Sequence, residues 1–472
     1  MTAPYPRDLK GYGRTPPHPQ WPAGARIAVQ FVINYEEGGE NCVLHGDPAS
    51  EAFLSEIVGA VPWPDMRHPN MESIYEYGSR AGYWRLHRLF TRRGLPVTVY
   101  GVATALARAP ETVAAMREAS FEIASHGLKW IDYKDVGRDE ERAHILEAIL
   151  LHAEVTGARP LGFYQGRSSV NTLAIVLEEQ GFLYSSDSYA DDLPYWIAGP
   201  HGPHLIVPYT LDANDMRFAT AQGFNSGDQF FAYLKDSFDT LYEEGETGPK
   251  MLSVGLHCRL AGRPGRTAAL QRFLDYLGRH DGVWVTRRCD IARHWVARHP
   301  PAGGYRPSAM PRGLFVEVFG GVFEHSPRIA EIAHRSRLSV RHDTAAGLHE
   351  AMVAAMRGLS DSAKHALVRR HPDLAPRLAA GAALTPDSVT EQAAAGLDRL
   401  SEAELARFDA LNAAYKARFG FPYILAVRGR TKAEVLADFE TRLDNDATTE
   451  FETALREIEA IALLRLKDRI PH

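Results

Sequence analysis

At 472 residues the chain is longer than one typical domain, and length alone suggests two or three. Its 45% hydrophobic and 24% charged residues suit a globular protein, and a net charge of −6 excludes a general nucleic-acid binder, which needs a basic excess to displace counterions. Three cysteines without a C-x-x-C pair exclude a zinc ribbon or dithiol redox motif and fit a reducing compartment.

The first residues, M-T-A-P-Y-P-R-D-L-K, hold no apolar core of signal-peptide type. No run of about 18 apolar residues occurs, so neither a transmembrane helix nor a membrane partner is expected, and a cytoplasmic location is. Residues 26–35, R-I-A-V-Q-F-V-I-N-Y, are apolar and β-branched and read as a buried strand running into E-E-G-G-E. Further strands are expected at 96–102, 121–124, 161–164, 182–185, 205–208, 251–256 and 283–286. Helices are expected from Pro110, at 140–155 (closed by Gly157), at 172–180 and at 291–297. Strand–helix alternation implies a parallel sheet, open or closed into a barrel.

Six polar residues follow the ends of five strands: Glu36 and Glu37 together, then His126, Arg167, Asp187 and His257. Singly, each has a plain structural reading: a solvated turn for the paired glutamates, a core position for either histidine, an Asx turn for Asp187. A β/α barrel brings such ends together on one face. There a carboxylate can take a proton from water, an imidazole can give one to a leaving nitrogen, and a guanidinium can hold the carboxylate.

Residues 297–313, A-R-H-P-P-A-G-G-Y-R-P-S-A-M-P-R-G, carry no apolar period, and neither helix nor strand is expected through them. Beyond lies a helical pattern. After a short apolar segment at 315–322, Ser326-Pro327 opens one helix, and others are expected at 344–359, 360–370 and 450–466. Thr385-Pro386 opens another; Ser401-x-x-Glu404 and Thr431-x-x-Glu434 fit the capping box, and Gly420 is a stop. Ser388, Glu391 and Gln392 fall at i, i+3 and i+4 and share a helix face, a solvated stripe when taken alone. His371 before Pro372 reads alone as a helix C-terminal histidine favoured by the dipole.

The first part resembles the polysaccharide deacetylase (NodB-homology) superfamily, whose fold is a distorted β/α barrel. N-Y-E-E-G stands at its T-F-D-D-G, S-H-G-L-K-W at its H-x-x-x-H, Gly166-Arg167 at its arginine motif and G-L-H at its last histidine motif. Trp130 stands where the family has its second metal histidine, and Glu37 where it has the metal carboxylate. That departure resembles the metal-independent allantoinases, as do Y-P-R-D-L-K-G-Y-G at 5–13, F-V-I-N-Y-E-E-G-G-E at 31–40, L-H-G-D at 44–47 and G-L-H-C-R-L-A-G-R-P-G-R at 255–266. The resemblance implies hydrolysis of the hydantoin ring of allantoin to allantoate without a cofactor. It casts Glu36 as general base, His257 as general acid and Arg167 as the group holding base and water. Glu37, His126, Trp130 and Asp187 would bind substrate. A divalent metal at Glu37 and His126 is the alternative.

In the second part, F-G-G-V-F-E-H-S-P, H-P-D-L-A, L-T-P-D-S-V-T-E-Q, L-N-A-A-Y-K-A-R-F-G-F-P-Y-I and R-L-D-N resemble the decarboxylase of 2-oxo-4-hydroxy-4-carboxy-5-ureidoimidazoline (OHCU), over about 314–466. The resemblance implies a catalytic His371 with Glu391 as its carboxylate partner. Ser388 and Gln392 would bind the ring and ureido group, Arg428 the carboxylate region, and Phe421 and Ile424 would line the pocket. Together the two imply an α/β barrel domain at 1–298, a linker at 299–313 and an all-α domain at 314–472. The whole is expected to be a bifunctional enzyme of urate breakdown, a homo-oligomer acting on small ureides with no nucleic-acid partner. Two other readings stay open: a metal-dependent carbohydrate deacetylase with a helical module, or one part reduced to a binding or scaffold role.

Overall fold

The computed structural model describes residues 5, 7–374, 386–397 and 399–470. The chain divides into two compact units, Met1–Pro300 and Pro301–His472.

The first unit is built on a curled sheet. Its strands are β1 (Ile27–Tyr35), β2 (Thr98–Gly101), β3 (Glu122–Ser125), β4 (Gly162–Phe163), β5 (Tyr184–Ser185), β6 (Tyr195–Gly199), β7 (Gly202–Ile206), β8 (Lys250–His257) and β9 (Val283–Val285). They run in the order β6-β7-β5-β4-β3-β2-β1-β8. β9 pairs Ile27–Val29 of β1, and β2 pairs its Val32–Tyr35 end. All nine residues of β1 are buried, as a strand covered on both faces requires. A parallel bridge between Asn214 and Gly255 brings the segment after β7 round to β8. A buried arginine bolts this seam: Arg288 donates from Nη1 to Gln30 Oε1 (2.7 Å) and Ser253 Oγ (2.9 Å), and from Nη2 to Ser186 Oγ (3.0 Å) and Pro208 O (2.7 Å).

The sheet is parallel except for the β6–β7 hairpin, which the sequence pattern does not announce. Y-W-I-A-G is a half-exposed edge segment without clear alternation. The pattern also misses the helices between β1 and β2, Pro69–Tyr77 and Tyr83–Thr91, which are joined by a π segment over Gly78–Gly82. Glycine is required twice there. A Cβ on Gly78 would strike the Glu37 carboxylate, and one on Gly82 would strike the carbonyl of Cys258.

The second unit is helical: Arg312–Phe319, Pro327–Arg335, Ala345–Arg357, Asp361–Arg369, Pro386–Ala394, Glu402–Phe419, Lys432–Arg442 and Ala447–Arg469. Ser401 and Thr431 complete their capping boxes with Glu404 and Glu434. The expected opening residue Thr385 lies outside the described residues. The expectation that neither helix nor strand runs through 297–313 is corrected. A 3₁₀ turn covers Pro307–Ala309, and a helix starts at Arg312 and takes up much of the apolar segment beyond. Proline just ahead of a first turn presets its φ and loses no intrahelical bond. The Asp343 carboxylate then accepts from Ser308 N and Oγ, both at 2.8 Å, and Pro307 and Met310 are buried. Among the described residues no helix is long and apolar enough to cross a membrane.

Candidate active sites

In the first unit, a cavity of about 270 Å³ opens at the C-terminal ends of the strands, lined by Glu36, His126, Trp130, Arg167, Tyr209 and His257 among others. Glu36 follows β1 and is buried. Its Oε1 faces two imidazoles, His126 Nε2 at 3.3 Å and His257 Nε2 at 3.4 Å, while Oε2 accepts from Arg259 Nη1 at 2.7 Å. Burial opposes the charge, but Arg259 and the two histidines outweigh it and hold the Glu36 carboxyl well below the usual range.

His257 ends β8 and turns its other nitrogen to Asp215: Nδ1 lies 2.6 Å from Oδ1. Asp215 Oδ2 accepts the backbone N–H groups of His257 (2.7 Å) and Ala261 (2.8 Å), which fixes the carboxylate. Burial pushes the His257 pKa down, yet the carboxylates of Glu36 and Asp215 outweigh burial and hold it up at about 9. At neutral pH the pair is therefore an ionised carboxylate beside a protonated imidazole, a base and an acid together.

Three expected roles are corrected. Arg167 does not hold Glu36. Its Nη1 donates to Glu51 Oε2 (3.1 Å) and Trp130 O (3.2 Å), and its guanidinium lies at the cavity wall near the Phe53 and Trp130 rings. The guanidinium on Glu36 belongs to Arg259, wholly buried over the Tyr75 ring at 4.3 Å. Glu37 does not face the cavity. Successive side chains at a strand end point to opposite sides, so Glu37 turns back against Gly78, where burial raises its pKa to about 7. Asp187 is a loop cap: it accepts from Gln165 N (2.8 Å), Gly166 N (2.7 Å) and Ser168 Oγ (2.8 Å), and so shapes the turn that presents Arg167. His126 and Trp130 both reach the cavity.

A metal of the kind the superfamily resemblance suggests does not fit these residues. Glu37 is turned away, the indole of Trp130 offers no ligand atom, and Arg259 already brings a cation to the carboxylates. Among the described residues no group of three His, Cys, Asp or Glu is disposed to hold a metal ion.

In the second unit, His371, Ser388, Glu391, Gln392, Ile424 and Arg428 come together around one cleft. Its centre is a residue the sequence reading passed over. Arg465, on the helix Ala447–Arg469, donates from Nε and Nη2 to the two oxygens of Glu391, each at 2.9 Å. It also donates from Nη1 to Glu324 Oε2 (2.7 Å) and from Nη2 to Ser388 Oγ (3.2 Å). With Arg465 in place about 30 Å³ of the cleft stays open.

The expected His371–Glu391 pair is thus corrected, because Glu391 is engaged by Arg465. His371 is buried, and its Nε2 has no hydrogen-bond partner among the described residues. Burial pushes its pKa down to about 4, with Glu324 opposing and Arg465 adding. Gln392 donates to Asp373 O at 3.4 Å, and Arg428 stands at the cleft on Asp468 (2.7 and 3.0 Å). Phe421 does not line the cleft; it packs among Tyr415, Phe419 and Phe451.

The missed residues left uneven traces. Arg259 stands two places after His257, just past the end of β8. Arg465 interrupts the buried helical stripe of Ile458, Ile461 and Ala462, a charge where an apolar residue belongs. Asp215, in a short 3₁₀ turn, and Glu324 carry no local signal.

A curled parallel sheet with an acid–base pair at its strand ends, joined to a helical unit with its own buried ionic cleft, defines an enzyme of two catalytic units. Comparison with known proteins agrees. Residues 66–182 match the family model described as polysaccharide deacetylase, and residues 308–467 match that described as OHCU decarboxylase. A Schizosaccharomyces pombe protein described as a polysaccharide deacetylase is 42% identical over 314 residues, 62% of this chain and 98% of that protein. A solved structure titled PuuE allantoinase is 60% identical, with a TM-score of 0.62, covering 63% of this chain and 99% of that one. An OHCU decarboxylase of Haloferax volcanii is 41% identical over 155 residues, 33% of this chain and 88% of that protein. The chain belongs to the polysaccharide deacetylase family through its first unit and to the OHCU decarboxylase family through its second.

Proposed function

We propose that the chain is a bifunctional enzyme of urate breakdown. The second unit decarboxylates OHCU to (S)-allantoin, and the first opens the allantoin ring to allantoate without a metal. The observation that carries the hydrolytic half is the buried Glu36 carboxylate, fixed through one oxygen by Arg259 and sharing the other with two imidazoles at the cavity. Glu36 takes a proton from water, His257 protonates the leaving ring nitrogen, and His126, Trp130 and Arg167 bind the ureide. Such acid–base catalysis contributes roughly 10²–10⁴-fold.

In the second unit Arg465 and Arg428 supply cationic donors for the substrate carboxylate. Ser388, Glu391 and Gln392 hold the ring and ureido group. Loss of CO₂ leaves electron density that the ring delocalises, and His371, neutral and with one nitrogen open, handles the proton on one face. The two families supplying consecutive steps supports the pairing.

The test gives the metal-stripped protein fresh OHCU and follows allantoin and allantoate by NMR. Both should form, and Glu36→Gln should stop at allantoin. Allantoate production that returns only with added Zn²⁺ would overturn the metal-free reading.

A further inference from the structure

When water adds to a ring amide, negative charge gathers on the carbonyl oxygen, and the first unit needs a donor aimed at it. Several donors around the cavity are already engaged. Both Asn34 amide hydrogens are used, on Tyr209 Oη (3.0 Å) and Leu256 O (3.2 Å). Arg167 is held at the cavity wall by Glu51, and the hydroxyls of Tyr164 and Tyr189 face each other at 2.9 Å.

Tyr209 differs. Its oxygen accepts from Asn34, and among the described residues its own hydrogen goes to no acceptor. Asn34 pairs with His257 in the β1–β8 register, and Glu36 lies two residues on, so all three side chains share the face that carries the cavity. The ring is set edge-on between Tyr100 (5.3 Å) and Tyr164 (4.9 Å), which fixes the direction of the hydroxyl. Burial holds the phenol well above its ordinary value, so it stays a donor throughout the range in which the pair works.

We propose that Tyr209 is a catalytic residue of the first unit and that Asn34 is its positioning residue. This rests on the hydrolase reading. As the water oxygen bonds to the ring carbon, Glu36 takes the water proton, and the carbonyl π pair moves onto the oxygen facing the Tyr209 hydroxyl. When that pair returns, the C–N bond breaks and His257 gives its proton to the nitrogen. Glu36 then passes its proton to His257 Nε2, 3.4 Å away, which resets the site. Tyr209 keeps its proton throughout, and nothing is oxidised or reduced.

The test is steady-state kinetics on allantoin with the full chain. Tyr209→Phe should lower kcat about 10²–10³-fold with KM within about threefold, since the donor acts on charge present only in the transition state. Asn34→Ala should give a smaller loss with the same kcat-against-KM split, and it decides the matter if Tyr209→Phe fails a circular-dichroism melt. A kcat within about threefold of wild type in either folded variant, with Glu36→Gln inactive, overturns the assignment and leaves the hydrolase reading standing. An inactive wild type overturns both.

Discussion

Asp215→Asn probes how His257 is kept protonated. In the native chain Asp215 Oδ2 accepts two backbone N–H groups, at 2.7 and 2.8 Å, while Oδ1 faces His257 Nδ1 at 2.6 Å. The asparagine carbonyl must stay on the two amides, so its NH₂ turns toward Nδ1. That nitrogen must then give up its hydrogen, and the imidazolium is disfavoured. The native pKa of about 9 stands above an unperturbed value of about 6.5, a difference worth roughly 3 kcal/mol at about 1.4 kcal/mol per unit. Asp215 and Glu36 share that difference against burial, and a charge-assisted bond is worth about 1.5–3 kcal/mol, so Asp215→Asn should remove about one to two units. The alkaline limb of kcat/KM for allantoin should move from near 9 to between about 7 and 8, and kcat should fall by up to about 10⁴, as when an orienting carboxylate is lost from a histidine. The stability sign follows. A raised imidazole pKa stabilises the fold fully below about 6.5, and this is lost as pH rises through about 9, so the variant's drop in melting temperature relative to wild type should be largest below about pH 6.5. The assay is a pH series of initial rates with a parallel set of melts. An alkaline limb that stays near 9 would refute the reasoning.

Three other perturbations test separate parts. Arg259→Gln strips the cation from a buried carboxylate; it should cost roughly 3–5 kcal/mol of stability in chemical denaturation and move the acid limb of hydrolysis upward, because Glu36 loses the largest influence that lowers its pKa. Trp130→His should give neither Zn²⁺ binding by calorimetry nor zinc-restored activity, because Glu37 faces Gly78 and not the cavity. His371→Asn should let OHCU decay slowly to racemic allantoin, read by circular dichroism of the product, while added (S)-allantoin is still hydrolysed.

Much of this is legible in sequence because it is local. Strand ends followed by polar residues mark one face of a barrel, and Glu36, His126 and His257 do meet there. Apolar spacing and capping boxes mark the helices of the second unit. What failed was partner choice. Arg167 and Arg259 both lie near the site, and only the fold shows that the first, on the turn held by Asp187, meets Glu51 and the second, just past β8, meets Glu36. Glu391 likewise pairs with an arginine 74 residues away rather than with His371. The joint misled for a different reason: prolines that break a helix from inside also begin one from outside, and only Asp343 shows which applies.

The arginine bolt at the barrel seam has a consequence for biogenesis. Glu36, His126, Arg167, Asp215, His257 and Arg259 are all translated before Arg288, yet Arg288 closes the structure around them. Asn34 must wait 222 residues for its partner Leu256, and Gln30 must wait 258 for Arg288. At about 5–20 residues per second that is roughly 10–50 s during which β1, the most apolar strand, lacks its β8 and β9 neighbours. Such long-range closure folds slowly and leaves a strand edge open to aggregation. In the full chain, Arg288→Gln would leave the catalytic set in place and the seam unbolted, and its protease sensitivity against wild type would report the value of that one side chain.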